Sequence, residues 1–201
     1  MWPPVIVWIA TAVLALAVGA LLGVRWARRQ IPADLPLREA RTGLPNRAAA
    51  LDHLPRALSL AERRGLSVTV LVIALDDAPD SRTALAEAEY DIARRLAPRL
   101  RTHEVLAHWG PGQFLVVLPD ADVPSALVLA GDLRQLAAAP AADRPTARAG
   151  DAPRSVSIGL HSRAPRGGQD LRELAAEMVI AAQRALEVTG ANGPGRIEIE
   201  P

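Results

Sequence analysis

The chain of 201 residues contains no cysteine, no lysine and few aromatic residues. Without cysteine there is no disulfide bond and no thiolate metal site, and the redox compartment stays undetermined. Aromatic residues make up 3% of the chain and hydrophobic residues 50%, so the core must consist of leucine, valine, isoleucine and alanine. All 23 basic residues are arginine, so no lysine is available to contact a phosphate group.

An uncharged apolar segment lies near the N-terminus. Residues 5–24 are long enough to cross a hydrocarbon core of about 30 Å as a helix. Trp2 and Trp26 flank this segment, as aromatic residues do at membrane interfaces. A cleaved signal peptide is the alternative, but such peptides begin with a basic segment and end at small residues. We therefore predict a membrane-spanning anchor.

The charges that follow the apolar segment predict its orientation. Arg25, Arg28 and Arg29 come directly after it, and the positive-inside rule places them in the cytoplasm, next to anionic lipid headgroups. We predict an anchor over residues 1–24, a juxtamembrane linker over 25–38 and one domain over 39–201. Without these three, 20 arginines stand against 22 acidic residues, so no broad basic surface favours nucleic acid as a partner.

The hydrophobic pattern predicts alternating helices and strands. Asn46 caps a helix that runs to about Arg64, which Pro55 kinks or splits and Gly65 ends. The β-branched run at residues 66–75 indicates a strand that is buried on both faces. The further predicted elements are a helix over 82–100, a hairpin of 105–109 with 114–118, a helix over 123–139, a mobile insertion over 137–153, and a final strand, helix and strand that end at 196–198.

Several stretches, in order, resemble motifs of the GGDEF family. Residues 38–47, REARTGLPNR, resemble its opening D-x-L-T-G-L-x-N-R, with Glu39 for the Asp and Arg41 for the Leu. Residues 68–76, VTVLVIALD, resemble its first core strand. The later landmarks are residues 155–160, SVSIGL, which resemble the S-I-G-V strand, and residues 170–192, which resemble the last helix.

The signature hairpin of that family is matched at residues 108–120, HWGPGQFLVVLPD. Its Gly-Gly-Asp-Glu-Phe turn is replaced by Gly110, Pro111, Gly112, Gln113 and Phe114. The resemblance covers roughly residues 39–199 and implies an α/β sandwich whose central, mainly antiparallel sheet is flanked by helices. The alternative is that Gly-Pro-Gly is simply a tight hairpin turn and the likeness is coincidental.

The resemblance also implies which residues would carry chemistry. Active members make cyclic di-GMP from two GTP molecules, using two metal ions held by carboxylates at the end of the first strand and in the signature turn. Here these positions are Ala74, Gly112 and Gln113, and a neutral amide oxygen binds magnesium weakly. Only Asp76 and Asp77 remain as residual metal candidates, and both can equally be solvated residues that cap the following loop.

Other substrate contacts of the family are missing as well. Its Phe-Lys after the first strand is Ala78-Pro79 here, and the lysine of its last helix aligns with Gln183. Pro111 removes a backbone N–H from the turn. These losses together predict a domain with no catalytic residues and no cofactor. The alternative is an active diguanylate cyclase, which would require Mg²⁺.

One ligand site of the family has a counterpart. An R-x-x-D motif that ends five residues before the signature turn binds cyclic di-GMP in many members, and Arg101 and Glu104 stand at that spacing. A guanidinium can pair with phosphate and with the guanine edge, and a carboxylate can accept from guanine N–H groups. The alternative is a solvated ion pair in a helix-to-strand connection.

The sequence as a whole therefore predicts a catalytically inactive GGDEF-like domain on the bacterial cytoplasmic (inner) membrane. We expect it to act in cyclic di-GMP signalling as a protein-interaction module or a cyclic di-GMP receptor. Self-association is one form of such interaction, because small residues would let two anchor helices pack closely. These small residues are Ala12, Ala15, Gly19 and Gly23. Arg47 is expected to secure the N-terminal segment to the domain.

Overall fold

The chain folds as alternating helices and strands in the computed structural model, which describes residues 37–139 and 154–200. These elements belong to one compact unit, Leu37–Pro201. They are α1 Arg47–Arg64, β1 Val68–Leu75, α2 Arg82–Leu96, β2 Val105–Gly110, β3 Gln113–Pro119, α3 Val123–Ala138, β4 Val156–Arg163, α4 Leu171–Asn192 and β5 Ile197–Glu200, with a short 3₁₀ turn at Ala97–Arg99 after α2.

The five strands form one mixed sheet in the order β2-β3-β1-β4-β5. β1 lies in the centre and pairs antiparallel with both β3 and β4, while β2 pairs antiparallel with β3. Only the β4–β5 pair is parallel. The predicted mainly antiparallel sheet with flanking helices is thus confirmed, and so is the burial of the first core strand.

The central strand separates two hydrophobic layers. Val68, Val70 and Val72 face α1 and α4, whereas Leu71 and Ile73 face α2 and α3. This alternation follows from the period of two in a strand, and the continuous apolar run of β1 is what a strand covered on both faces requires. The layers consist almost entirely of aliphatic side chains, as the composition predicted.

The first helix differs from its prediction at Pro55. We expected the proline to kink or split the helix, and a split does not occur, because α1 runs as one helix from Arg47 to Arg64. The Asn46 side chain accepts a hydrogen bond from the Ala49 amide at the helix start, and Gly65 ends the helix with φ of 66°. Since the buried face of α1 is packed along its length, tertiary contacts outweigh the lost backbone hydrogen bond.

Gly159 fixes the position of the last helix against the sheet. A Cβ atom at this residue of β4 would lie 2.1 Å from the Ala182 carbonyl oxygen and 2.3 Å from the Leu186 nitrogen. Both atoms belong to the backbone of α4, so neither can move aside. The glycine is therefore required by the close approach of helix and strand.

Residues 1–36 of the predicted anchor and linker and residues 140–153 of the predicted insertion lie outside the described residues, whereas Ala137 and Ala138 belong to α3. Among the helices in 37–139 and 154–200, none is both long and apolar enough to span a membrane.

Candidate functional site

The predicted signature turn joins β2 to β3 as a tight hairpin. Gly110 pairs with Gln113, so Pro111 and Gly112 form the two-residue connection. Gly112 has a φ of 67°, a left-handed conformation that favours glycine. Phe114, two residues after Gly112, is fully buried in the hydrophobic layer that packs against α2 and α3. The turn residues therefore lie where the sequence placed them.

Two of the three positions that the resemblance aligns with metal ligands lie side by side. Ala74 of β1 is the direct cross-strand partner of Gln113 of β3. Directly opposed residues of an antiparallel pair present their side chains on the same face of the sheet. A methyl group and a neutral amide thus stand at this pair of positions.

A buried carboxylate that the sequence interpretation missed holds the turn from the side of α2. Glu89 is 9% exposed, and its Oε1 accepts a hydrogen bond of 2.6 Å from the Gly112 amide. The Gly112 carbonyl oxygen in turn accepts one of 2.9 Å from the Leu75 amide at the end of β1. Both backbone groups of Gly112 are therefore engaged inside the protein.

The sequence did contain a signal for Glu89. Leu85, Glu89, Ile92 and Leu96 follow one another at helical spacing, so an acidic residue stands within the apolar stripe of α2. An acid at such a position needs a buried partner, because an unpaired charge in the core is very costly. Searching the apolar stripes for acids would have found it.

His108 packs beside this carboxylate. Its Nε2 lies 3.3 Å from Glu89 Oε1, within ion-pair range when the imidazole is protonated, but it makes no hydrogen bond with any residue in the described part of the chain. The ring stands edge-on to Phe114, with 6.1 Å between ring centroids. The His108 amide donates a 2.8 Å hydrogen bond to the Pro45 carbonyl, which links the hairpin to the N-terminal motif.

Asp76, one of the two residual metal candidates, lies just beyond the end of β1 and turns toward β4. Its carboxylate accepts hydrogen bonds of 2.5 Å from the Ser155 and Ser157 hydroxyls and of 2.8 Å from the Gly195 amide. These bonds tie together the end of β1, the start of β4 and the loop before β5. Asp76 thus has a structural role in which all three donors come from the protein.

The second candidate, Asp77, is exposed. In residues 37–139 and 154–200, no group of three histidine, aspartate or glutamate side chains is placed to hold a metal ion.

Arg101 and Glu104 lie at the other end of β2 from the signature turn. β2 has six residues, which corresponds to about 20 Å along the strand. Glu104 Oε2 accepts a 2.7 Å hydrogen bond from the Arg101 amide. The Glu104 amide in turn donates a 3.0 Å hydrogen bond to the Arg101 carbonyl oxygen. This small turn fixes the carboxylate beside an exposed arginine. The two residues are thus neighbours, as their proposed role requires.

The opening motif forms a closed turn beside the hairpin. Glu39 accepts hydrogen bonds from the Thr42 amide at 2.6 Å, the Thr42 hydroxyl at 2.8 Å and the Arg41 amide at 3.0 Å. Burial raises the pKa of Glu39, but the hydrogen bonds from Thr42 and Arg41 outweigh it and hold its pKa below the usual value. The glutamate thereby supplies the turn with its charged acceptor.

Arg47 follows this motif at the start of α1. Its guanidinium lies 4.4 Å from the centroid of the Trp109 ring. This cation–π contact joins the start of α1 to β2. The structural role predicted for Arg47 agrees with this contact.

No protein-family model and no curated protein sequence matches the chain. Solved structures do match it. The diguanylate cyclase SiaD from Pseudomonas aeruginosa, solved with its activator SiaC, is 20% identical with a TM-score of 0.70, over 95% of this chain and 74% of that one. The coiled coil and GGDEF domain of DgcB from Caulobacter crescentus, in complex with cyclic di-GMP, is 20% identical with a TM-score of 0.70, over 94% and 98%.

A third match is the GGDEF domain of YfiN from Pseudomonas aeruginosa. It is 25% identical with a TM-score of 0.66, over 80% of this chain and 98% of that one. The chain therefore has a GGDEF-like α/β fold, and the solved structures that it resembles are GGDEF domains, including those of diguanylate cyclases.

Proposed function

We propose that this protein is a non-catalytic GGDEF-like domain that acts in cyclic di-GMP signalling by binding rather than by synthesis. The observation that carries the proposal is the pairing of Ala74 with Gln113 at the place where the family holds its metal ions. Phosphoryl transfer depends on cations that neutralise the triphosphate. Neither the Ala74 methyl group nor the neutral Gln113 amide provides a negative charge that could bind such a cation.

The Glu89–Gly112 hydrogen bond supports the same conclusion. Backbone N–H groups in glycine-rich turns are common binding sites for phosphate oxygens. Here Pro111 has no N–H, and the N–H of Gly112 is bonded to a carboxylate of the protein itself. A triphosphate that approached the turn would meet no free amide at these two residues and a buried negative charge behind them.

Binding of GTP with Mn²⁺ tests this part of the proposal. We expect the full chain to bind the complex no more tightly than an unrelated protein does, as measured by titration calorimetry. The variant Ala74→Asp with Gln113→Glu places two facing carboxylates at the site, and we expect it to gain Mn²⁺ affinity. Tight binding of Mn²⁺–GTP by the unaltered chain would contradict the proposal, and would favour the active cyclase built on Asp76 and Asp77.

Arg101 and Glu104 support a second candidate function, that of a cyclic di-GMP receptor. Arg101 is exposed, and the Glu104 carboxylate accepts a hydrogen bond from the backbone amide of Arg101. Together they offer a cation for phosphate and an acceptor for guanine N–H groups. Titration of the full chain with cyclic di-GMP should give binding that Arg101→Ala abolishes.

Arg99→Ala is the matched control for that titration, because it removes the same charge two residues earlier. Arg99 is instead paired with Asp132 on α3, at 2.5 Å. Its loss should leave the affinity for cyclic di-GMP nearly unchanged. Absence of binding by the unaltered chain would leave protein interaction as the function.

We also propose that residues 1–24 tether the domain to the bacterial inner membrane, with the domain in the cytoplasm. The support is the uncharged length of residues 5–24 and the arginines that follow it. Alkaline carbonate extraction of membranes from expressing cells should leave the full chain in the pellet. Release of the full chain into the supernatant would contradict the anchor.

A further inference from the structure

A groove of about 480 Å³ lies between the exposed side of α1 and the start of α4. Leu51, Pro55 and Leu171 contribute apolar surface, and the Leu51 side chain is 39% exposed. The groove is formed by the helices that cover the opposite face of the sheet from α2 and α3. None of its lining residues belongs to the signature turn or to the Arg101–Glu104 turn.

Charged residues of both signs line the same groove. Asp52 and Arg56 stand on consecutive turns of α1, and Asp170 and Arg172 stand at the start of α4. The formal charges of these four residues cancel. A surface with one sign of charge would repel a second copy of itself, whereas this surface carries one acidic and one basic residue at each helix.

The pair on α1 is free to change partners at little cost. Arg56 Nη2 lies 2.6 Å from Asp52 Oδ2, and the two side chains are 74% and 53% exposed. Ion pairs at such exposure contribute little to stability, because water and salt screen them. Exchanging the intramolecular pair for two intermolecular pairs therefore loses almost nothing of the fold.

We propose that this groove is a docking surface for a second copy of the chain. A two-fold axis that crosses α1 midway between Asp52 and Arg56 sets the two α1 helices antiparallel. Asp52 of each copy then faces Arg56 of the other, and the apolar surface around Pro55 is covered. Contacts of this kind are isologous, with the same patch used on both sides.

This proposal rests on the protein-interaction part of the proposed function. It identifies the partner as a second copy of the protein. The apolar part of the groove is limited to Leu51, Pro55 and Leu171, so we expect weak pairing. Confinement of both copies to one membrane would raise their local concentration and compensate for the weakness. The test therefore uses the full chain in membranes.

The absence of native cysteine makes a disulfide test specific. Pro55→Cys places one thiol next to the expected two-fold axis, and replacing a proline within a helix removes a helix breaker. Val128→Cys is the control, since Val128 is 67% exposed on α3, on the other face of the sheet. Under a mild oxidant, we expect disulfide-linked dimers from position 55 and several-fold fewer from position 128.

Charge changes on the Pro55→Cys background separate self-pairing from chance collision. Asp52→Arg or Arg56→Asp alone sets like charges against each other and should lower the linked fraction several-fold. The double variant Asp52→Arg with Arg56→Asp rebuilds both intermolecular pairs, and it should restore the fraction. Thermal melts of each variant show whether the fold is retained.

Equal amounts of disulfide-linked dimer from positions 55 and 128 would contradict the proposed surface. So would the absence of linked dimer from position 55, or an unchanged linked fraction in folded variants that carry the charge changes. None of these results would bear on nucleotide binding by the domain, which the GTP and cyclic di-GMP titrations test separately.

Discussion

The Glu89 carboxylate and the Gly112 amide are joined by a 2.6 Å hydrogen bond that closes the signature turn from within the protein. Helix α2 supplies the acceptor and the hairpin supplies the donor. The signature turn is thus held by a carboxyl group from inside the protein. This hydrogen bond and three other contacts of the domain each lead to a measurable prediction.

Removing the Glu89 acceptor should destabilise the domain. Glu89→Leu keeps a similar length but leaves the Gly112 N–H without its acceptor, which costs about 1–3 kcal/mol in the free energy of unfolding. Denaturant titration followed by circular dichroism measures the loss. Glu87→Leu, on the exposed side of the same helix, is the control and should change stability by less than about 0.5 kcal/mol. Equal effects of the two variants would show that the turn does not depend on Glu89.

Asp76→Asn should be more damaging than Asp77→Asn. Asp76 accepts from two hydroxyls and one amide, and hydrogen bonds to a charged group contribute about 1.5–3 kcal/mol each. We expect a loss of about 2–4 kcal/mol for Asp76→Asn, because the asparagine NH₂ turns a donor toward other donors. The exposed Asp77 should tolerate the same change. If Mg²⁺ raised the melting temperature of the unaltered chain but not of Asp76→Asn, Asp76 would instead be a metal ligand.

Gly159→Ala should prevent or severely weaken folding. The added methyl group would overlap backbone atoms of α4, and we expect a loss above about 4 kcal/mol, or failure to obtain soluble protein. Gly131→Ala on α3 is the matched control, since nothing lies within 4 Å of its added Cβ. The helical position should gain about 0.5–1 kcal/mol from the change. A well-folded Gly159→Ala variant would mean that α4 does not pack so closely on β4.

Stability should depend on pH through Glu39. Its pKa is lowered in the folded protein from 4.5, so the folded state favours the ionised form. This contribution is fully present above the unfolded pKa and is lost as pH falls through the lower folded pKa. Glu39→Gln should therefore melt below the unaltered chain at neutral pH and approach it in acid. Parallel melting curves at all pH values would exclude this role for Glu39.

Most of the fold followed from sequence patterns with simple physical causes. The β-branched run of β1, the glycine after α1 and the hairpin glycines each indicated their elements, because local backbone preferences decide those positions. The split expected at Pro55 does not occur, since a packed helix face can outweigh one missing hydrogen bond. Local rules hold least well where tertiary contacts are strongest.

The site was less predictable, because its contacts connect distant parts of the chain. The direction of the Asp76 side chain depends on Ser155, Ser157 and Gly195, which the sheet brings beside it. No local pattern reveals such partners. Ala74 and Gln113 were identified by resemblance, but their direct pairing emerges only from the register of β1 and β3.

Turnover of GTP tests the central claim most directly. The full chain is incubated with GTP and either Mg²⁺ or Mn²⁺, beside an active diguanylate cyclase as the positive control, and cyclic di-GMP is quantified by mass spectrometry. The account predicts no product above the no-protein background with either metal. Sustained product formation with either metal would contradict it.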